Sequence, residues 1–379
     1  MLLALSASCW ALLCPGDAPA GAPAPEPRYA LGGVLLSDYS TDFGLGLGVN
    51  ATVERFDAGR APWQAALTAQ VYASTGGQQV HYLALDVPQA FGGAWRLGAV
   101  AGYRRDQAAP WYGAGNDARI DPSKPAGYYR WDEEAPYARV SARRALFASL
   151  SAFAQYRLSY NGVRAAPGSL LAAEAPTGLG GGRFAEGAVG LVWDSRDFEP
   201  SPTTGLLVEA SARTAQRWLG AESSFTGLFA SATGYARPLE RVVVAARVAF
   251  DRELGDVPFN HLRDLGAYFA LSGLGGGSTI RGLVPNELVG HQKLLANLEA
   301  RVRLLTLRWD GHEVSGGLAA FVDTGRVWDG ADASAPWTGL RAGYGGGVRA
   351  WCGRYFVWRG DVGFAEGRAR VYFEVGQMF

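Results

Sequence analysis

The chain has 379 residues, in which 35 Lys and Arg are matched by 35 Asp and Glu, a formal net charge of zero that argues against nucleic acid as a partner. Charged residues make up only 18%, against 52 Gly, 12 Trp, 16 Tyr and 17 Phe. That composition is poor in charge for a soluble enzyme and suits curved strands with aromatic girdles.

Residues 1–20 open with the apolar run MLLALSASCWALLC, which is too short to span a bilayer. They read as a secretory signal peptide, cleaved after Ala20, where Ala18 and Ala20 are small. Residues 21–27 form a Pro/Ala linker, and 28–379 read as one domain. Beyond the leader there is one cysteine, Cys352, with His81, His261, His291 and His312 scattered along the chain. That set predicts no metal site and no cofactor.

The first strand pattern, 28–37, is weak. The second, 43–54, is clear: Phe43, Leu45, Leu47, Val49, Ala51 and Val53 alternate with Gly44, Gly46, Gly48, Asn50, Thr52 and Glu54. Period two with large apolar groups on one side means a strand between lipid or core and a polar interior. Further patterns follow at 63–74, 79–87 and 95–104, and then a long connection at 105–134. Two more, 137–146 and 149–160, precede a second long connection at 161–182. Then come 185–194, closed by the turn DSRDFEPSPTTG, and 206–215, 223–235 and 241–251.

A third connection, 253–292, is far longer than an ordinary strand-to-strand loop. It contains LSGLGGGSTIRGL over 271–283, in which Gly275, Gly276 and Gly277 allow the backbone to fold back and pack closely. Ile280, Arg281 and Gly282 follow. An arginine on such a loop is most often a solvated charge.

Five more alternating segments come next. Leu294, Ala296 and Leu298 oppose Asn297, Glu299 and Arg301; Leu318, Ala320 and Val322 oppose Phe321, Asp323 and Gly325. The last sets Val371, Phe373, Val375 and Phe379 against Arg370, Tyr372 and Glu374. Eleven strands and five make sixteen, or fourteen if two of the weaker patterns (one, four and ten) fail. No other stretch is apolar for anything near eighteen residues, so the fold class is all-β: a transmembrane antiparallel β-barrel. An even count with a periplasmic N-terminus puts all three long connections on the outer side, the asymmetry expected of such barrels.

Several motifs in order resemble one family. GGGSTIRGL, the Phe321-Val322-Asp323-Thr324-Gly325 strand, Asn297-Leu298-Glu299-Ala300-Arg301 and the Asp194-Ser195-Arg196-Asp197 turn with Pro202 and Gly205 look like the barrel of BamA- and TamA-type outer-membrane assembly factors. That superfamily includes the bacterial surface-antigen barrels and the two-partner-secretion transporters. The resemblance implies that the long Gly-rich loop is folded into the barrel lumen, where Arg281 pairs with Asp323 and Glu299 as a latch on the loop. It also implies that Val371 to Phe379, with Phe373, Val375 and Phe379, is the signal by which the barrel is recognised for insertion. The expected departure from the family is a lack of POTRA repeats, with only 21–27 between the expected signal and the first strand pattern.

The expected location is the outer membrane of a Gram-negative bacterium. The expected function is assistance to protein or lipid insertion or organisation there, through a loose seam between strands one and sixteen. The partners would be the lipid bilayer, nascent outer-membrane proteins or a separate periplasmic protein. The alternative is a gated pore plugged by the loop and lined by Arg96, Arg139, Arg157, Arg213, Arg247 and Arg303. Inward arginines more often balance lumenal carboxylates such as Glu209, Asp361 and Glu374. No Ser/His/acid arrangement is recognisable, so no catalytic residue is expected.

Overall fold

The computed structural model describes residues 28–40, 43–56, 63–309, 312–328, 335–353 and 356–379; the expected signal and linker lie outside them. Sixteen strands close into one antiparallel barrel. They are β1 (Arg28–Ser40), β2 (Gly44–Phe56), β3 (Ala65–Ser74), β4 (Gln78–Ala90), β5 (Trp95–Pro110), β6 (Arg130–Phe147), β7 (Leu150–Ala165) and β8 (Gly182–Asp194). Then come β9 (Gly205–Ala215), β10 (Phe225–Leu239), β11 (Val242–Gly255), β12 (Gln292–Trp309), β13 (His312–Trp328), β14 (Arg341–Cys352), β15 (Phe356–Ala365) and β16 (Arg368–Val375). Each pairs with its neighbours in sequence, β11 with β12 across the long loop. Closure leaves few backbone groups without partners, the condition for crossing hydrocarbon with strands.

The alternation sorts as the sequence requires. Leu45, Leu47, Val49, Leu298, Leu318 and Val322 are exposed on the outer wall, facing lipid. Asn297, Glu299, Phe321 and Asp323 are buried on the inner one. Among the described residues the count is sixteen, and strands one, four and ten are present.

Two expectations need correction. First, many strands run past the lipid-facing pattern: β5 reaches Pro110 and β6 begins at Arg130, so the connection there shrinks to 111–129. The second long connection is 166–181 and the third 256–291. Beyond the hydrocarbon band both faces of a strand can be polar, so the ladder continues where the alternation has stopped. Second, Phe379 does not extend the lipid face of the last strand. The chain leaves the ladder after Val375 through Gly376, at φ +95°. Phe379 comes to lie against the inward-facing Arg247 and Arg301, whose guanidinium carbons are 4.9 and 5.7 Å from its ring centre.

That departure shapes the seam. β1 pairs with β2 along all 13 of its residues, but meets β16 only at Tyr39–Phe373 and Ser40–Tyr372. Continuing that register would set 376–379 against 33–36, and those last residues have turned away.

A latched loop inside the barrel as the candidate functional site

The loop 256–291 carries its own apolar core into the lumen. Leu265, Leu274, Ile280, Leu283 and Leu288 are fully buried against Phe229, Leu295, Val327 and Ala365 of the wall. Each such side chain is worth about 1.5–3 kcal/mol relative to exposure. A short hairpin pairs Asp264–Leu265 with Leu271–Ser272. The next turn needs backbone open mainly to glycine: Gly275 lies at φ +121°, Gly276 at +91° and Gly282 at +101°. Thr279 Oγ1 fixes this turn by accepting from Gly275 N at 2.8 Å, with Gly273 O also 2.8 Å away.

This turn delivers Arg281, with no exposed surface, to three carboxylates. Nε and Nη2 donate to the two oxygens of Asp323 at 2.8 and 3.0 Å, and the Arg281 backbone N–H adds a third bond at 3.1 Å. Nη1 donates to Glu299 at 2.6 Å and to Asp361 at 3.1 Å. The guanidinium carbon sits over Phe321, 3.3 Å from its ring centre. Asn297 donates to Asp323 (2.9 Å) and to the carbonyl of Thr279 (2.7 Å), tying β12 to the turn. Arg301, Arg349 and Arg359 complete the network through Glu299 and Asp361. Ions taken out of water this completely make removal of one partner costly, about 3–5 kcal/mol, because the others are left buried and unanswered.

The wall is cut to receive this backbone. A Cβ on Gly343 of β14 would sit 2.0 Å from the carbonyl oxygen of Arg281, and one on Gly363 of β15 would sit 2.8 Å from its carbonyl carbon. A Cβ on Gly325 would meet Leu294 O, Leu274 and Ile280. Gly282 N donates to Tyr372 Oη (3.1 Å), and Gly277 O accepts from Arg359 (3.1 Å).

The rest of the loop is tied around the same lumen. Glu209 of β9 accepts three consecutive amides, Ala267, Tyr268 and Phe269, at 3.2, 3.1 and 2.9 Å. Glu133 of β6 takes Arg263 at 2.6 Å, Asp251 of β11 takes Gly266 N at 3.0 Å, and Arg341 of β14 takes Glu287 at 2.5 Å. Arg157 of β7 holds Asp264 at 2.8 Å. His261 stacks on Phe184 at 3.5 Å, accepts at Nε2 from Asn161 Nδ2 and donates from Nδ1 to Asp264, both at 2.9 Å. Burial pushes its imidazole down to about 4 against the pull of Asp264, so it is neutral near pH 7.

The structure thus gathers Gly275, Gly276, Gly277, Ile280, Arg281, Gly282, Glu299, Phe321, Asp323 and Gly325 at one place. Phe373 faces lipid, and Val375 ends the last strand. The sequence reading missed Asp361 as a third partner of Arg281, and Arg349 with it. Both faces were readable from parity, but parity does not give height along the barrel. The wall glycines had a visible signal, Gly343 and Gly345 at alternate positions of β14. Among the inward arginines, Arg213 pairs with Asp251 and Glu253 at 2.6 Å each. Arg247 bonds Asn297 and Ser278 O, and Arg303 is partly exposed. Glu209 answers backbone amides where an arginine was expected.

Sixteen strands closed around a docked loop define an outer-membrane β-barrel. The chain belongs to the Omp85 superfamily, whose domain model matches residues 88–379. Its fold is similar to BamA from Haemophilus ducreyi lacking POTRA domains 1–3, with 14% identity and a TM-score of 0.61 over 92% of this chain and 70% of that one. It is also similar to CdiB from Escherichia coli, at 14% identity and a TM-score of 0.60 over 91% of this chain and 62% of that one. CdiB from Acinetobacter baumannii follows at 11% identity and a TM-score of 0.50, over 92% and 59%. No curated protein matches the sequence.

Proposed function

We propose that this outer-membrane barrel assists the insertion or rearrangement of proteins or lipids at the seam between β1 and β16, with the lumen held shut by the latched loop. The observation that supports this most is the seam itself, joined by two residue pairs where β1 and β2 share a full ladder. A cleft of about 440 Å³ opens there, lined by lipid-facing Tyr39, Leu45 and Phe373 and by inward-facing Arg359 and Glu374. The unpaired edge of β1 offers backbone groups that a client strand would satisfy by adding to the sheet.

The test is a disulfide across the seam. Tyr39→Cys with Phe373→Cys places two thiols on directly paired residues. Oxidised barrel in proteoliposomes should catalyse folding of an unfolded outer-membrane client several-fold more slowly than the same barrel reduced. Equal rates would refute the seam reading.

A gated pore is the second reading, favoured by one observation. The inner faces of β2 to β4 carry small polar groups that bond one another, Asn50 to Gln70 and Tyr82, and Thr52 to Thr68, and are only part-buried. That side of the lumen has room for solvent.

A further inference from the structure

We propose that the lumen contains an oxyanion-binding site centred on Arg139, built for a phosphate- or pyrophosphate-type group and separate from the seam. A cavity of about 530 Å³ lies between β4–β7 and the loop, lined among others by Tyr82, Arg104, Tyr137, Arg139, Arg157 and Asp264. Arg139 of β6 stands directly opposite Arg157 of β7 in the ladder. Residues so placed have Cβ atoms about 4.5–5.5 Å apart, and like charges there destabilise the sheet.

Arg157 is answered, by Asp264 at 2.8 Å and Glu186 at 3.4 Å. Among the described residues no carboxylate is within ion-pair distance of Arg139. The surrounding acids are committed elsewhere: Glu133 to Arg104 and Arg263, Glu186 to Arg157 and Arg213, Asp264 to Arg157 and His261. Three guanidinium groups therefore face one cavity with a single lining carboxylate, and the neutral His261 adds no charge. A guanidinium fork matches an oxyanion bidentately, which a point charge does not. Tyr82 Oη accepts from Asn50 at 3.1 Å, which leaves its own proton free to donate into the cavity. An oxyanion bound here would relieve the Arg139–Arg157 repulsion that the protein leaves in place.

The same chemistry is presented by a soluble phosphate and by a phospholipid headgroup. The test is calorimetric titration of the full chain, in neutral detergent at low ionic strength, with sodium pyrophosphate. Wild type should bind at one saturable site. Arg139→Gln should weaken binding by about tenfold or more, Arg139→Lys by less, and Arg164→Gln on the exposed rim should leave it unchanged. Arg139→Gln removes no ion pair, so its barrel is expected to fold, as heat-modifiable mobility will show; Tyr137→Phe provides a second variant. No saturable binding by wild type, or equal binding by Arg139→Gln, overturns the site, as does an equal loss in Arg164→Gln. Phosphatidylglycerol in mixed micelles separates the sources. Displacement of pyrophosphate identifies the headgroup, and undiminished binding a soluble anion.

Discussion

The two sides of the lumen solve the same problem, a polar inner wall, in opposite ways. On β11 to β15 the wall is charged and dry. Glu299, Asp323 and Asp361 are each met by arginine, and glycines at 343 and 363 let the loop backbone touch the sheet. On β2 to β4 the middle of the wall is uncharged and wet, with Asn50, Thr52, Thr68, Gln70 and Tyr82 bonded to one another and still part-exposed. A hydrogen bond in water contributes little, whereas a buried charge without its partner is expensive. The dry side therefore fixes one conformation of the loop, and the wet side fixes none.

This contrast can be broken at the dry wall first. Asp323→Ala leaves Arg281 without its bidentate partner and should cost the docked loop about 3–5 kcal/mol. Limited proteolysis should then cut within 273–282 in the folded barrel, where wild type resists. Gly343→Val attacks the same contact by shape alone, since its Cβ would overlap the Arg281 carbonyl. A cost of about 1–3 kcal/mol is expected, read as a smaller rise in cleavage.

Acid should act more gently, through His261. Its pKa lies at about 4 in the folded state against an ordinary 6.5, so the neutral ring stabilises the docked loop. That contribution is complete above about pH 6.5 and is lost as pH falls through 4. Protease access should rise over that window, and His261→Gln should flatten the dependence. Smallest of all, Thr52→Val with Thr68→Val on the wet wall should shift barrel stability by about 1 kcal/mol or less and leave loop protection unchanged. A loss of protection there would erase the distinction between the two walls.

Much of this was legible in the sequence, for a physical reason. Lipid on one side and a polar lumen on the other impose period two, so β2, β12 and β13 could be read residue by residue, and Arg281 could be matched to Glu299 and Asp323 by face. What lay hidden depends on position along the barrel axis and on backbone conformation. Asp361 and Arg349 share the inward face with many other residues, and only the register brings them to the height of Arg281. The ends of β5 and β6 escaped because alternation stops where the bilayer does. Phe379 fits the alternating pattern as a sequence, yet Gly376 turns the chain out of the ladder. Glu209 looked like a counter-ion, and it accepts from the Ser211 hydroxyl and from three loop amides that carry no sequence signal.

The central claim is that Arg281 holds the loop as a closed plug against the dry wall. Single-channel recording of purified wild type and Arg281→Ala in planar bilayers tests it most directly. The account predicts near-silent or flickering traces for wild type and large, steady openings for the variant. A variant as silent as wild type, with its barrel intact by heat-modifiable mobility, would contradict it.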